Sequence, residues 1–123
     1  MKNMHFNRKL PVPKEIKEQY PLTASLSKIK EARDLEIADI FTRKSNKLVL
    51  IIGPCSADRE DAVLDYCERL ATLQEKVSDK LLLIPRVYTN KPRTTGEGYK
   101  GLLHQPDPEQ KEDMLEGVIA IRR

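Results

Sequence analysis

Two short stretches of this sequence concentrate groups able to do chemistry: Gly53-Pro54-Cys55-Ser56, and the run Arg86-Val87-Tyr88-Thr89-Asn90-Lys91-Pro92-Arg93-Thr94-Thr95. In the second, Arg86, Lys91 and Arg93 stand within eight residues, beside the hydroxyls of Thr94 and Thr95 and just ahead of Gly96 and Gly98. Arginine matches carboxylate and phosphate oxygens bidentately, threonine adds donors, and glycine lets backbone come close to an anion. The competing reading is a solvated basic loop. Arg86 argues against it, because a cation inside an otherwise apolar strand needs an anion or a paired acid. Cys55 has three readings: a small buried hydrophobe, a nucleophile activated by a following helix N-terminus, or a thiolate ligand for a borderline metal ion. Cys67 falls on the apolar face of a helix and reads as packing. Gly96-Glu97-Gly98 is neither a Walker A nor a dinucleotide fingerprint.

The elements around these stretches must position them. Leu48-Val49-Leu50-Ile51-Ile52 is an apolar, β-branched run closed by Gly53-Pro54, which predicts a strand buried on both faces, as in a parallel sheet. Acidic Ala57-Asp58-Arg59-Glu60-Asp61 suits a first helical turn. Ala62, Val63, Tyr66, Cys67, Leu70 and Leu73 then predict an amphipathic helix of about four turns ending near Lys76. Leu81-Leu82-Leu83-Ile84 opens a second strand, expected to run through Pro85-Arg86-Val87-Tyr88. Strand, helix and strand make a βαβ unit, with a right-handed crossover expected. Ligands of βα-repeat proteins gather at the carboxyl ends of the strands, where both stretches sit.

Upstream, residues 1–22 read as an arm punctuated by Pro11, Pro13 and Pro21, with room for a short helix over Lys14–Glu18. A second helix is expected from Thr23 or Ser25. Its apolar positions Leu26, Ile29, Leu35, Ile37 and Ile40 recur only loosely, while Ser27, Glu31 and Asp34 suit a solvated face. Residues 1–41 read as packing or oligomer contact. Downstream, a loop from Thr89 to about Asp107 leads to a helix expected near Pro108, with Met114, Leu115, Val118, Ile119 and Ile121 on one face. Two strands that are apolar on both faces want neighbours, so the chain reads as part of a larger sheet completed elsewhere.

Composition limits the function classes. The chain has 123 residues, 39% hydrophobic, 33% charged and 5% aromatic, with a net charge of +3. That length predicts one domain or a piece of one, able to bury roughly two-thirds of its unfolded surface. No apolar run approaches the ~20 residues of a membrane span. The first residues lack the apolar region and cleavage site of a secretory signal. Two cysteines make no disulfide scaffold, so free thiols and a cytoplasmic location are expected. The densest basic stretch, Arg43-Lys44-Ser45-Asn46-Lys47, carries no aromatic residue for base stacking, so neither a nucleic-acid nor a membrane partner is expected.

Gly53-Pro54-Cys55-Ser56 closing an apolar strand, then Arg86-Val87-Tyr88, Lys91-Pro92-Arg93-Thr94-Thr95 and Tyr99-Lys100-Gly101-Leu102, resembles type I 3-deoxy-D-arabino-heptulosonate 7-phosphate (DAHP) synthase from about residue 10 onward. A related synthase for 3-deoxy-manno-octulosonate 8-phosphate resembles this loop less well. The resemblance implies an α/β fold, the N-terminal part of a (β/α)8 TIM barrel after a helical extension. Residues 1–46 would be the extension, used in oligomer and feedback contacts, and residues 47–123 the first βα units. It implies condensation of phosphoenolpyruvate with erythrose 4-phosphate, with loss of phosphate, as the first step of the shikimate pathway, in a metal-dependent homo-oligomer. Cys55 matches the family's metal-binding cysteine, Arg86 a phosphoenolpyruvate-binding arginine, and Lys91 an active-site lysine near both substrates. Pro92, Arg93 and Thr94 match the stretch that holds erythrose 4-phosphate. The resemblance places the remaining ligands of a divalent ion (Mn, Fe, Co or Zn class), a His, a Glu and an Asp, outside this chain. Neither His5 nor His104 stands at such a position, and both read as surface residues. The 123-residue chain is therefore expected to be an N-terminal fragment, inactive and poorly stable alone, and not to bind the metal tightly. The alternative is a non-catalytic fragment that acts only by binding a full-length synthase.

Overall fold

The computed structural model describes residue 3 and residues 8–123; His5 lies outside the described residues. Its elements are α1 (Pro13–Gln19), α2 (Ala24–Phe41), β1 (Leu48–Ile52), α3 (Glu60–Val77), β2 (Leu81–Pro85) and α4 (Met114–Arg122). Among the described residues no helix is long and apolar enough to cross a membrane.

The arm folds as its residues dictate. Pro13 fills the first position of α1, where its missing N–H costs nothing, and the Glu15 carboxylate accepts from Val12 N at 2.9 Å. Ile16 is the buried residue of this helix. In α2, Thr23 Oγ1 caps Leu26 N at 3.3 Å, but no residue is buried, in keeping with the loose apolar spacing. Ser27 donates to Glu31 at 3.1 Å on the solvated face. Lys47 Nζ reaches Glu36 Oε1 at 2.7 Å, tying α2 to the approach of β1 and holding the Glu36 carboxyl below its ordinary range.

β1 and β2 pair in parallel in a two-stranded sheet, register Leu48↔Leu81 through Ile52↔Pro85, joined by α3. Leu82 and Leu83 are buried in β2 and meet Leu70 of α3. Beside Leu70, on the same face, sits Gln74, which a search for apolar periodicity passes over. Its Nε2 donates to Leu81 O at 2.9 Å and its Oε1 accepts from Leu83 N at 2.6 Å. The rungs Leu48 N to Lys80 O and Arg86 N to Ile52 O show which β2 groups face β1. By the alternation of a parallel ladder, Leu81 O and Leu83 N face the other way. The Gln74 amide thus stands in for a neighbouring strand.

Three boundaries differ from the sequence expectation. β2 ends at Pro85, not Tyr88, because β1 turns away at Gly53-Pro54 and Arg86 N to Ile52 O is the last rung. Arg86 is therefore an exposed residue just past the sheet, not a cation inside a strand, and the desolvation reasoning drawn from its burial falls. α3 begins at Glu60, since Ala57 commits its backbone elsewhere: its N–H to Tyr88 O and its carbonyl to Leu102 N. α4 begins at Met114, not Pro108. Asp113 accepts from Glu116 N at 3.2 Å and Leu115 N at 2.9 Å and caps it, and these amides hold its carboxyl low, while Asp107 and Gln110 close a turn of their own upstream.

Gly117 of α4 is buried against the loop before it, and a Cβ there would lie 2.0 Å from Leu103 O. Helix propensity favours Ala over Gly by about 1 kcal/mol. We expect Gly117→Ala nonetheless to lower the thermal unfolding midpoint, because α4 must retreat from the loop. Gln74→Leu leaves the buried Leu83 N without its acceptor, and we expect a loss of about 1–3 kcal/mol in urea unfolding.

Candidate functional site

The parallel register delivers both chemical stretches to the same end of the sheet. Past Ile52↔Pro85 the chains diverge at Gly53 and Arg86, so closely that a Cβ on Gly53 would lie 2.0 Å from Arg86 O. Ala57, fully buried, then locks the two exits together. It donates to Tyr88 O at 2.9 Å and accepts from Leu102 N at 3.1 Å. The loop closes on itself through Lys91 N to Lys100 O at 2.8 Å and Leu103 N to Thr89 O at 2.9 Å.

Within this frame Lys91 Nζ donates to Cys55 Sγ at 3.0 Å. The Arg86 guanidinium lies over the Tyr88 ring, 5.2 Å from its centroid, and donates to Pro54 O. Arg93 Nε donates to Tyr99 O at 2.8 Å. The Lys91 hydrogen bond and charge, with smaller contributions from Arg86 and Arg93, hold the Cys55 thiol below its ordinary value. Cys55 is exposed, which removes the buried-hydrophobe reading. Helix α3 starts five residues after it, so the lysine, not a helix end, favours the thiolate. Among the described residues Arg86, Lys91 and Arg93 form no ion pair with a carboxylate. Pro92 and Thr94 are exposed beside them, and Thr94 makes no side-chain hydrogen bond among the described residues.

A thiolate suits a borderline metal ion. Among the described residues no group of three His, Cys, Asp or Glu side chains could hold one, so Cys55 offers a single ligand and these residues alone do not fit a metal centre. Half-buried His104 bonds Asn90 Oδ1 at 3.1 Å and takes no part. Cys67 is half-buried and lines a separate, apolar cavity of about 310 Å³ with Leu70, Leu82 and Leu83. Sequence reading missed Ala57, whose type carries no chemistry; the tight spacing between the Gly-Pro turn and α3 was its one trace.

The DAHP synthetase I family model matches residues 16–118. The chain belongs to that family. It is 38% identical over 115 residues to a phospho-2-dehydro-3-deoxyheptonate aldolase of Corynebacterium glutamicum, covering 93% of this chain and 31% of the relative. It is 40% identical over 114 residues to the phenylalanine-inhibited aldolase of that name from Saccharomyces cerevisiae, covering 92% and 30%. A solved phospho-2-dehydro-3-deoxyheptonate aldolase from Francisella tularensis superposes with a TM-score of 0.81 at 28% identity, over 96% of this chain and 34% of that one. The chain spans about a third of the length of the curated relatives it matches. The match bears out the DAHP synthase resemblance carried by the motifs.

A depressed thiol favours the folded chain above the unfolded thiol's pKa, and that contribution fades as pH falls through the folded one. We expect iodoacetamide to alkylate Cys55 several-fold faster than Cys67 at about pH 7, where thiolate is the reacting species. Lys91→Met should move the midpoint of the Cys55 pH–rate profile upward. An unchanged midpoint would mean that Lys91 does not govern the thiol.

Proposed function

We propose that this DAHP synthetase I chain contributes the first part of a cytoplasmic, homo-oligomeric enzyme that condenses phosphoenolpyruvate with erythrose 4-phosphate to DAHP and phosphate. In this reading residues 47–123 begin a (β/α)8 barrel and residues 1–46 form an extension used in oligomer contacts. One observation carries it. Three cations without carboxylate partners among the described residues surround an exposed thiol at the carboxyl ends of two parallel strands, Lys91 in contact with it. Both substrates bring phosphate and one brings a carboxylate, and such anions are what clustered, uncommitted Arg and Lys side chains bind.

The roles divide by position. Arg86, braced by Pro54 O and the Tyr88 ring, takes the phosphoenolpyruvate anion. Arg93, with Pro92 and Thr94 alongside, takes the erythrose phosphate. Lys91 stands between them and holds a proton next to Cys55, placed to serve the aldehyde oxygen as negative charge develops. A divalent ion of the Mn, Fe, Co or Zn class, when bound, would polarise that aldehyde as a Lewis acid. Cys55 would be one of its ligands.

A second reading is supported by β1, whose Leu48 and Ile51 are 67% and 63% exposed. Such a strand suits a chain that acts by binding a full-length synthase, and co-purification of the tagged chain with one would be its sign. The first reading is tested by exchanging this chain for the matching segment of the C. glutamicum relative. We expect the graft to release phosphate from phosphoenolpyruvate only when erythrose 4-phosphate is present. Lys91→Ala in it should lower kcat/KM by about a hundredfold or more. The 123-residue chain with Mn²⁺ should release none. A graft that folds like its parent yet stays inert would sink the proposal.

A further inference from the structure

Two consecutive carbonyls in the loop bond the guanidinium of Arg93 and the backbone N–H of Lys91. Tyr99 O accepts from Arg93 Nε at 2.8 Å, and Lys100 O accepts from Lys91 N at 2.8 Å. What holds this dipeptide is the Tyr99 side chain. Its hydroxyl lies 2.9 Å from Asp58 O and 3.0 Å from Gln105 O. Asp58 follows Cys55 by three residues, so the phenol spans from the thiol's own turn to the far end of the cation loop. A carbonyl only accepts, so the single O–H proton serves one of the two at a time, and the group must stay protonated to serve either. Burial pushes the Tyr99 hydroxyl up, which keeps it a donor.

From this geometry we infer that Tyr99 is the positioning residue of the anion site: it clamps the loop to the Cys55 turn and fixes the guanidinium of Arg93. With Nε committed to Tyr99 O, the two Nη groups of Arg93 make no hydrogen bond among the described residues and stand as a ready fork for a phosphate. Such a fork is pre-organised, so less freedom is lost when an anion binds. Tyr99 itself touches no substrate in this scheme. The inference rests on the anion-binding reading above, and its test separates the two.

The test uses the ¹⁵N-labelled 123-residue chain and inorganic phosphate as probe, followed at the Arg93 Nε–Hε resonance. Tyr99→Phe removes the clamp and keeps the ring. We expect Arg93 Hε and the Lys91 amide to exchange about fivefold faster and phosphate to bind about fivefold more weakly, the equivalent of one ordinary hydrogen bond. Amides of Leu82 and Leu83 should exchange as before, which shows that the sheet is intact. A second variant, Gly98→Ala, strains a backbone at φ +84° beside the Arg93 guanidinium and leaves the hydroxyl alone. It should weaken phosphate binding likewise. If both variants keep wild-type phosphate affinity, Tyr99 is structural only and the inference is overturned, whatever the exchange rates. If phosphate binds neither the wild type nor the variants while Arg93 Hε exchange quickens in Tyr99→Phe, the hold of Tyr99 on Arg93 stands and the anion-site reading fails instead.

Discussion

The parallel pairing of Leu48–Ile52 with Leu81–Pro85 is the constraint on which the other features depend. Parallel strands point their carboxyl ends the same way, so everything that follows Ile52 and everything that follows Pro85 must share one surface. A shift of one residue in register would turn every side chain to the opposite face and separate Gly53 from Arg86. The contact between those two residues tolerates no side chain on Gly53, which makes the close exit a condition of the register and not merely a consequence of it. Once the exits are fixed, Ala57 has one place to go. Its two backbone bonds, to Tyr88 and Leu102, carry the order of the sheet into the loop.

Much of this was legible in the residues, and what was not has definite causes. β1 is legible to the residue because a β-branched apolar run meets Gly53-Pro54. β2 reads too long from sequence, since Val87 and Tyr88 are good strand formers whose place in the ladder depends on how soon β1 ends. For the same reason Arg86 reads as a strand residue, although its part in the cation cluster is visible. The start of α4 was read at Pro108, where proline permits a helix, when the capping group was Asp113. Gln74 and Ala57 could not be found by type or period. Each matters for what its amide or backbone bonds, and that is set by tertiary position. The three readings of Cys55 narrow only with its exposure and with Lys91 at 3.0 Å across 36 residues of sequence, neither of which residue type or spacing shows.

The two edges of the sheet are treated differently. Leu81 O and Leu83 N on the outer edge of β2 are answered by Gln74, whereas β1 presents Leu48, Leu50, Ile51 and Ile52 at 40% exposure or more. An uncovered apolar strand is a pairing surface. The buried apolar residues, Ile16, Ala57, Leu70, Leu82, Leu83 and Leu102, lie along α1, the inner face of α3, β2 and the loop, and none belongs to β1. β1 is therefore held chiefly by its ladder with β2 and by the Lys47–Glu36 pair at its entrance, while its side chains have the composition of a strand covered on both faces.

The site and the scaffold also divide their charges differently. Along the helices, cations meet carboxylates at close range, as in Lys14–Glu18, Arg33–Glu36 and Arg69–Asp65. Around Cys55 the cations instead lean on partners other than carboxylates: a backbone carbonyl and a ring for Arg86, a carbonyl for Arg93, the Cys55 sulfur for Lys91. A carbonyl or a ring orients a guanidinium group without cancelling its charge. A carboxylate in their place would hold the side chains as firmly and leave nothing for an incoming anion. The resulting like-charge repulsion is borne by solvent and by the thiolate that Lys91 favours, and it is relieved when an anion arrives. The preference for carbonyl bracing over ion pairing is thus the feature on which the proposed anion binding at this end of the sheet rests.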